Sequence, residues 1–111
     1  MTMGEMARVM DQARLPDREL AFIFRQGAIL RLPYLEGRLL QAGERVRTFE
    51  EKYGTTLDVL AFQGLPDDAG YEMHEDFIEW EYWNDVLHKV EVTAGNVRSV
   101  LEKVEETVGA Y

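Results

Sequence analysis

Cysteine is absent from these 111 residues, and histidine occurs only at His74 and His88. Without thiols there is no disulfide framework, no thiol nucleophile and no thiolate metal site. No Ser-His-Asp triad and no glycine-rich phosphate loop is written in the chain. No apolar run approaches the roughly 18 residues that cross a bilayer, and residues Met1 to Met10 lack the basic-then-apolar order of a secretory signal. A soluble, cytoplasmic protein without a cofactor is expected. Internal repeats and low-complexity tracts are missing as well.

The most informative absence is of one charge. Between Tyr53 and His88 there is no Lys or Arg, while nine carboxylates fall there: Asp58, Asp67, Asp68, Glu72, Glu75, Asp76, Glu79, Glu81 and Asp85. Residues 1–52 are nearly balanced, with nine Lys/Arg against eight Asp/Glu, so the formal net charge of −9 is not evenly spread. An anionic stretch of this kind repels phosphate backbones and attracts cationic protein surfaces. Nucleic acid is therefore expected to bind, if at all, only through the arginine-bearing first half.

What is present is helical pattern. A length of 111 residues suits a single domain, with residues 1–32 as a separable amino-terminal element. Leu35, Leu39, Ala42, Val46, Phe49 and Tyr53 recur at alternating intervals of four and three, a heptad seam, with Leu40 widening its apolar face. This spacing predicts a helix over residues 34–53 that starts after Pro33 and is capped at Gly54. A second seam, Trp80, Trp83, Leu87, Val90, Ala94, Val97, Leu101, Val104 and Val108, predicts a helix over residues 75–108. Phe77, Tyr82, Val86 and Val100 broaden its stripe, and a kink is expected near Thr93-Ala94-Gly95-Asn96.

Between the seams, Thr55 with Asp58 reads as a capping box that opens a short helix over residues 56–62 and ends near Gly64. Leu65-Pro66-Asp67-Asp68-Ala69-Gly70 reads as a turn. Met6, Val9, Met10 and Ala13 predict a short amino-terminal helix. Residues 20–32 support two readings, one helix entered at Pro16-Asp17 or a β-hairpin around Arg25-Gln26-Gly27.

The expected fold is mainly α, an antiparallel helical hairpin or bundle of two unequal helices. A first helix that begins at residue 34 leaves roughly 14 residues of the second unmatched, about 20 Å at 1.5 Å per residue. Val97, Leu101, Val104 and Val108 then need cover, either from the amino-terminal segment or from a second copy, so a homo-oligomer is expected.

Candidate chemistry is sparse. Asp85 and His88, at i and i+3, have the spacing that aims a carboxylate and an imidazole at one metal in helical di-iron bundles, but a second such pair is missing and a solvated polar face is the simpler reading. Glu72, His74 and Asp76 read as residues of a helix amino terminus, where the dipole favours carboxylates. Neither Glu75 with Glu79 nor Glu81 with Asp85 shows the split environment that acid–base catalysis needs. No enzymatic role is expected. Trp80 and Trp83 fit the core seam, whereas Tyr71 and Tyr82 suit an interface where aromatic packing and carboxylates together capture Lys or Arg.

One set of segments carries a resemblance: Leu32-Pro33-Tyr34-Leu35, Arg38-Leu39-Leu40-Gln41-Ala42, Phe49-Glu50-Glu51-Lys52-Tyr53-Gly54, Gly64-Leu65-Pro66-Asp67-Asp68 and Glu75-Asp76-Phe77-Ile78-Glu79-Trp80. Together they resemble the TumA-type antitoxins over about residues 32–87. The resemblance implies a small helical protein that binds and neutralises a TumE-type toxin. Its expected toxin contacts here are Glu75, Asp76, Glu79, Tyr82 and Asp85, with Val97, Leu101, Val104 and Val108 dimerising or docking. The competing expectation is a structural coiled-coil homodimer or interaction scaffold that has no toxin.

Overall fold

The structure, a computed structural model, describes residues 2–13 and 15–109, with the side chains at 10, 13 and 107–109 left undescribed. Its elements are α1 (Met3–Ala13), α2 (Asp17–Tyr53), α3 (Leu57–Gln63) and α4 (Tyr71–Gly109). No strand occurs among the described residues, so residues 20–32 take the helical alternative. None of the helices is long and apolar enough to cross a membrane among the described residues.

The first departure from the sequence pattern is at Pro33. Proline inside a helix removes one hydrogen bond and crowds the carbonyl four residues back, a cost of about 3 kcal/mol, yet α2 runs through it. The reason lies in the residues on either side. Ala21, Arg25, Ala28 and Leu32 continue the four-three alternation upstream of Leu35, and Ala21 and Ala28 are buried in it. Pro33 lies off that seam and is exposed. On the exposed side of a helix a freed carbonyl costs less than it would in the core.

Helix α2 is entered at Pro16, whose carbonyl accepts from the amides of Glu19 and Leu20. It stops at Gly54, which takes φ 65° in the left-handed region and donates its amide to the Glu50 carbonyl. Helix α3 is capped by Thr56, whose hydroxyl accepts from the Val59 amide at 3.3 Å, not by Thr55 as the capping pattern suggested. Gly64, with φ 78°, ends it. The expected turn closes through the Ala69 amide on the Pro66 carbonyl at 3.0 Å. Helix α4 begins four residues earlier than its seam predicted and stays continuous through Thr93 to Asn96.

The chain divides into two compact units, residues 1–32 with 96–111 and residues 33–95. Their boundaries fall at Pro33 and at Gly95-Asn96, the two weak points of the helical pattern. In the second unit the long helices pack against each other around Val46, Phe49, Leu60 and Trp80. Trp80 is fully buried and stacks on Phe49 and Tyr53, with centroids 5.8 and 5.9 Å away. An aromatic ring of this kind removes roughly 150–250 Å² from water, about 4–6 kcal/mol before entropy is counted. Leu40 does not widen the apolar face as expected, being 65% exposed.

In the first unit, Val97, Leu101 and Val104 are half-buried, and Glu105 accepts a hydrogen bond from Arg25 at 2.8 Å. The expected overhang is not present, because α2 begins at Asp17 and its amino-terminal half shares this unit with the end of α4. The side chain of Val108 lies outside the described residues. Among the expected broadening residues of α4, Phe77 and Val86 are half-buried while Tyr82 and Val100 are exposed.

Candidate functional site

The outward side of α4 in the second unit holds four of the five expected partner-binding residues, Glu75, Glu79, Tyr82 and Asp85. Tyr71, Glu75, Ile78, Tyr82, Asp85 and Lys89 follow one another at intervals of four and three, so they form one stripe on the side away from Trp80. Tyr71 is 81%, Ile78 60% and Tyr82 55% exposed. Large apolar groups left open on an otherwise charged helix are a mark of interaction surfaces. Glu75, Glu79 and Glu81 are exposed beside them and carry no ion pair among the described residues.

The five expected contact residues do not share one environment. Glu75, Glu79 and Tyr82 are exposed and lie at i, i+4 and i+7 on one side of α4. Asp85 is tied to Lys89 at 2.8 Å, a helical pair of small energetic weight. Asp76 belongs to an internal clasp, where it accepts from the Lys52 ammonium and the Tyr53 hydroxyl while Glu72 accepts from the same Lys52 at 2.7 Å.

The clasp shifts all three of its central groups. Hydrogen bonds from Lys52 and then Tyr53 hold the Asp76 carboxyl below its usual range. Bonds to Asp76 and then Glu72 push Lys52 upward, and burial followed by the Asp76 bond pushes the Tyr53 hydroxyl upward. The clasp fastens the end of α2 to the start of α4 and leaves Glu75 and Glu79 on the neighbouring turns uncommitted.

Trp83 carries a feature that the seam did not disclose. The Arg38 and Arg45 guanidinium groups lie 6.0 and 5.5 Å from its ring centre, and Tyr82 meets it edge-on at 5.1 Å. Arg38 also donates to the Gln41 side chain at 2.9 Å. The signal was present in the sequence, since Arg31, Arg38, Arg45 and Lys52 recur every seven residues. Cations held over an indole are attracted by its ring face, so these two stiffen the floor on which Tyr82 rests.

Protein-family models, curated proteins and solved structures all give no match to this chain. What the face can bind therefore follows from its own chemistry.

Among the described residues, no group of three or more His, Cys, Asp and Glu side chains is arranged to hold a metal ion. Asp85 and His88, weighed above as a metal pair and read more simply as a solvated polar face, are both exposed, with Asp85 turned to Lys89 at 2.8 Å and His88 lying 4.0 Å from Glu91. An open groove on the other flank is lined by Glu36, Leu39, Leu40, Gly43, Glu44, Arg47, Leu87 and Glu91.

Proposed function

We propose that this chain is a non-enzymatic protein-binding module, an antitoxin that takes a cationic toxin on the outer face of α4. The observation that carries the reading is the open stripe of Tyr71, Ile78 and Tyr82 bordered by unpaired Glu75, Glu79 and Glu81. Such a face offers Lys and Arg side chains both a carboxylate and an aromatic ring, which raises encounter rate and selectivity together. The resemblance to TumA-type antitoxins points the same way, and the toxin's positive charge would complement the −9 of this chain.

In this proposal the scaffold is an antiparallel hairpin in heptad register. Within the second unit, Tyr53 with Asp76 and Arg45 with Trp83 are the pairings that support it. Asp76 then positions the helix start through the Lys52–Tyr53 clasp and contributes little direct contact.

The test is co-expression with a small basic protein encoded beside this gene. Growth arrest by that protein should be relieved by the wild-type chain, and the two should co-purify. Glu75→Lys with Glu79→Lys should weaken the complex at least tenfold, and the wild-type complex should weaken as ionic strength rises. Undiminished capture by the doubly reversed variant would rule out this face as the docking site.

A further inference from the structure

The first unit differs from the second in charge and in core, and together these differences say what covers it. Residues 1–32 and 96–111 hold seven Lys/Arg and seven Asp/Glu, a formal charge of zero, whereas residues 33–95 hold five against fourteen and so account for the whole −9. The buried hydrophobic residues described in the first unit are two alanines, Ala21 and Ala28. Leu20, Phe22, Leu32, Val97, Leu101 and Val104 are half-buried, and other large apolar side chains stay in the open. Met3 is 79%, Val9 51%, Ile23 53% and Leu30 79% exposed.

These exposed groups are ordered. Met3, Met6 and Val9 line one side of α1. Ile23 and Leu30, seven residues apart, share the side of α2 that faces away from Ala21 and Ala28. The first half of α2 is thus apolar on two sides, and packing inside the unit uses only one of them. A standard interface takes about 800 Å² from each partner, and Met3, Met6, Val9, Ile23 and Leu30 are the large apolar side chains that these sides of α1 and α2 would contribute to it.

We infer that this neutral apolar face of α1 and α2 is where two copies of the chain join. Electrostatics selects the occupant. A cationic protein is drawn to the second unit, where the negative charge resides, and a polyanion finds no net positive charge on the first. Two copies meeting through the second unit would bring −9 against −9, whereas through the first they meet at zero net charge. The contact would be isologous, with Ile23 and Leu30 of each copy inside it. It is separate from the α4 face and holds whether or not that face takes a toxin.

The decisive measurement is the mass of the full chain by sedimentation over a wide dilution series. The expected result is twice the 12.8 kDa chain mass, in low and high salt alike, because apolar association without net charge is not screened. Ile23→Glu with Leu30→Glu should give a monomer of unchanged helicity. Its tryptophan emission should also be unchanged, since Trp80 and Trp83 both lie in the second unit. Should the glutamates reduce helicity, Ile23→Gln with Leu30→Gln should still weaken pairing at least tenfold. Leu40→Glu, an equally open leucine of the second unit, should remain dimeric. A wild-type monomer at every concentration, a dimer that survives Ile23→Glu with Leu30→Glu, or one dissolved by salt would overturn the inference. So would pairing abolished by Leu40→Glu, or a monomer that instead floats with neutral phosphatidylcholine vesicles.

Discussion

At the scale of single residues, the second unit depends on Trp80. Its ring is fully buried between helices, and its indole N–H is the one buried side-chain polar atom without a hydrogen-bond partner among the described residues. A missing partner of that kind costs about 1–3 kcal/mol, which the burial of the ring, at about 4–6 kcal/mol, more than offsets. Trp80→Ala should lower stability by about 3–5 kcal/mol in urea unfolding, and Trp80→Phe by clearly less, because Phe keeps a ring and removes the orphaned donor. The clasp makes a prediction in pH. Asp76 has a folded pKa below its unfolded value, so its contribution is complete above the ordinary carboxylate value of about 3.9 and disappears as pH falls through the folded value. Lys52 is the reverse case, contributing fully below about 10.4 and losing that contribution as pH rises through its raised folded value. Lys52 is 42% exposed, so its share is screened by solvent. Asp76→Asn should therefore flatten the acid limb of a plot of urea midpoint against pH. An acid limb identical to that of the wild type would show that other carboxylates govern it.

At the scale of elements, α2 and α3 show how local signals are weighed. Pro33 lies on the exposed side of a helix whose other side is buried on both flanks of it. The proline is tolerated and remains costly, so Pro33→Ala should stabilise the protein by about 1–3 kcal/mol. Destabilisation in the same urea titration would mean that the helix needs the shape proline imposes. The cap of α3 is Thr56, and Thr56→Ala should cost about 1 kcal/mol while Thr55→Ala leaves stability nearly unchanged. The capping-box pattern favoured Thr55, which has Asp58 three residues on, yet the cap is its neighbour. Which one caps is decided by where Leu57 and Leu60 must point to reach the core around Trp80.

At the scale of the whole molecule, the negative charge and the open apolar groups of α1 and the first half of α2 belong to different units. The second unit has a core of large side chains beneath an acidic face. The first is neutral and, among its described residues, the buried hydrophobic ones are alanines, so on its own it should open more readily. If two copies join there, amide exchange in residues 17–32 should speed up on dilution while residues 42–53 and 76–90 keep their rates. Exchange that ignores dilution in both stretches would argue against a concentration-dependent cover. Raising the salt should weaken toxin capture at the acidic face and leave pairing intact, so the two interactions can be separated by a single variable.

The helical class, the two long helices that pack against each other, the turn at residues 65–70, the cap at Gly54 and the acidic stretch were legible in the sequence. All are local: a period of 3.6 residues, a glycine free to take positive φ and a run without cations need no knowledge of distant contacts. The exposure of Tyr71 and Tyr82 and the burial of Trp80 followed from the same periodicity. Tertiary structure decided the rest. The continuation of α2 through Pro33 depends on Ala21, Ala28 and Leu32 finding a core to enter, which the local cost of the proline does not disclose. The diversion of Asp76 from the open face depends on Lys52 and Tyr53 arriving from another helix. Which carboxylates are free to meet a partner and which are already engaged is set by contacts between residues some twenty positions apart, and those exist only once the chain has folded.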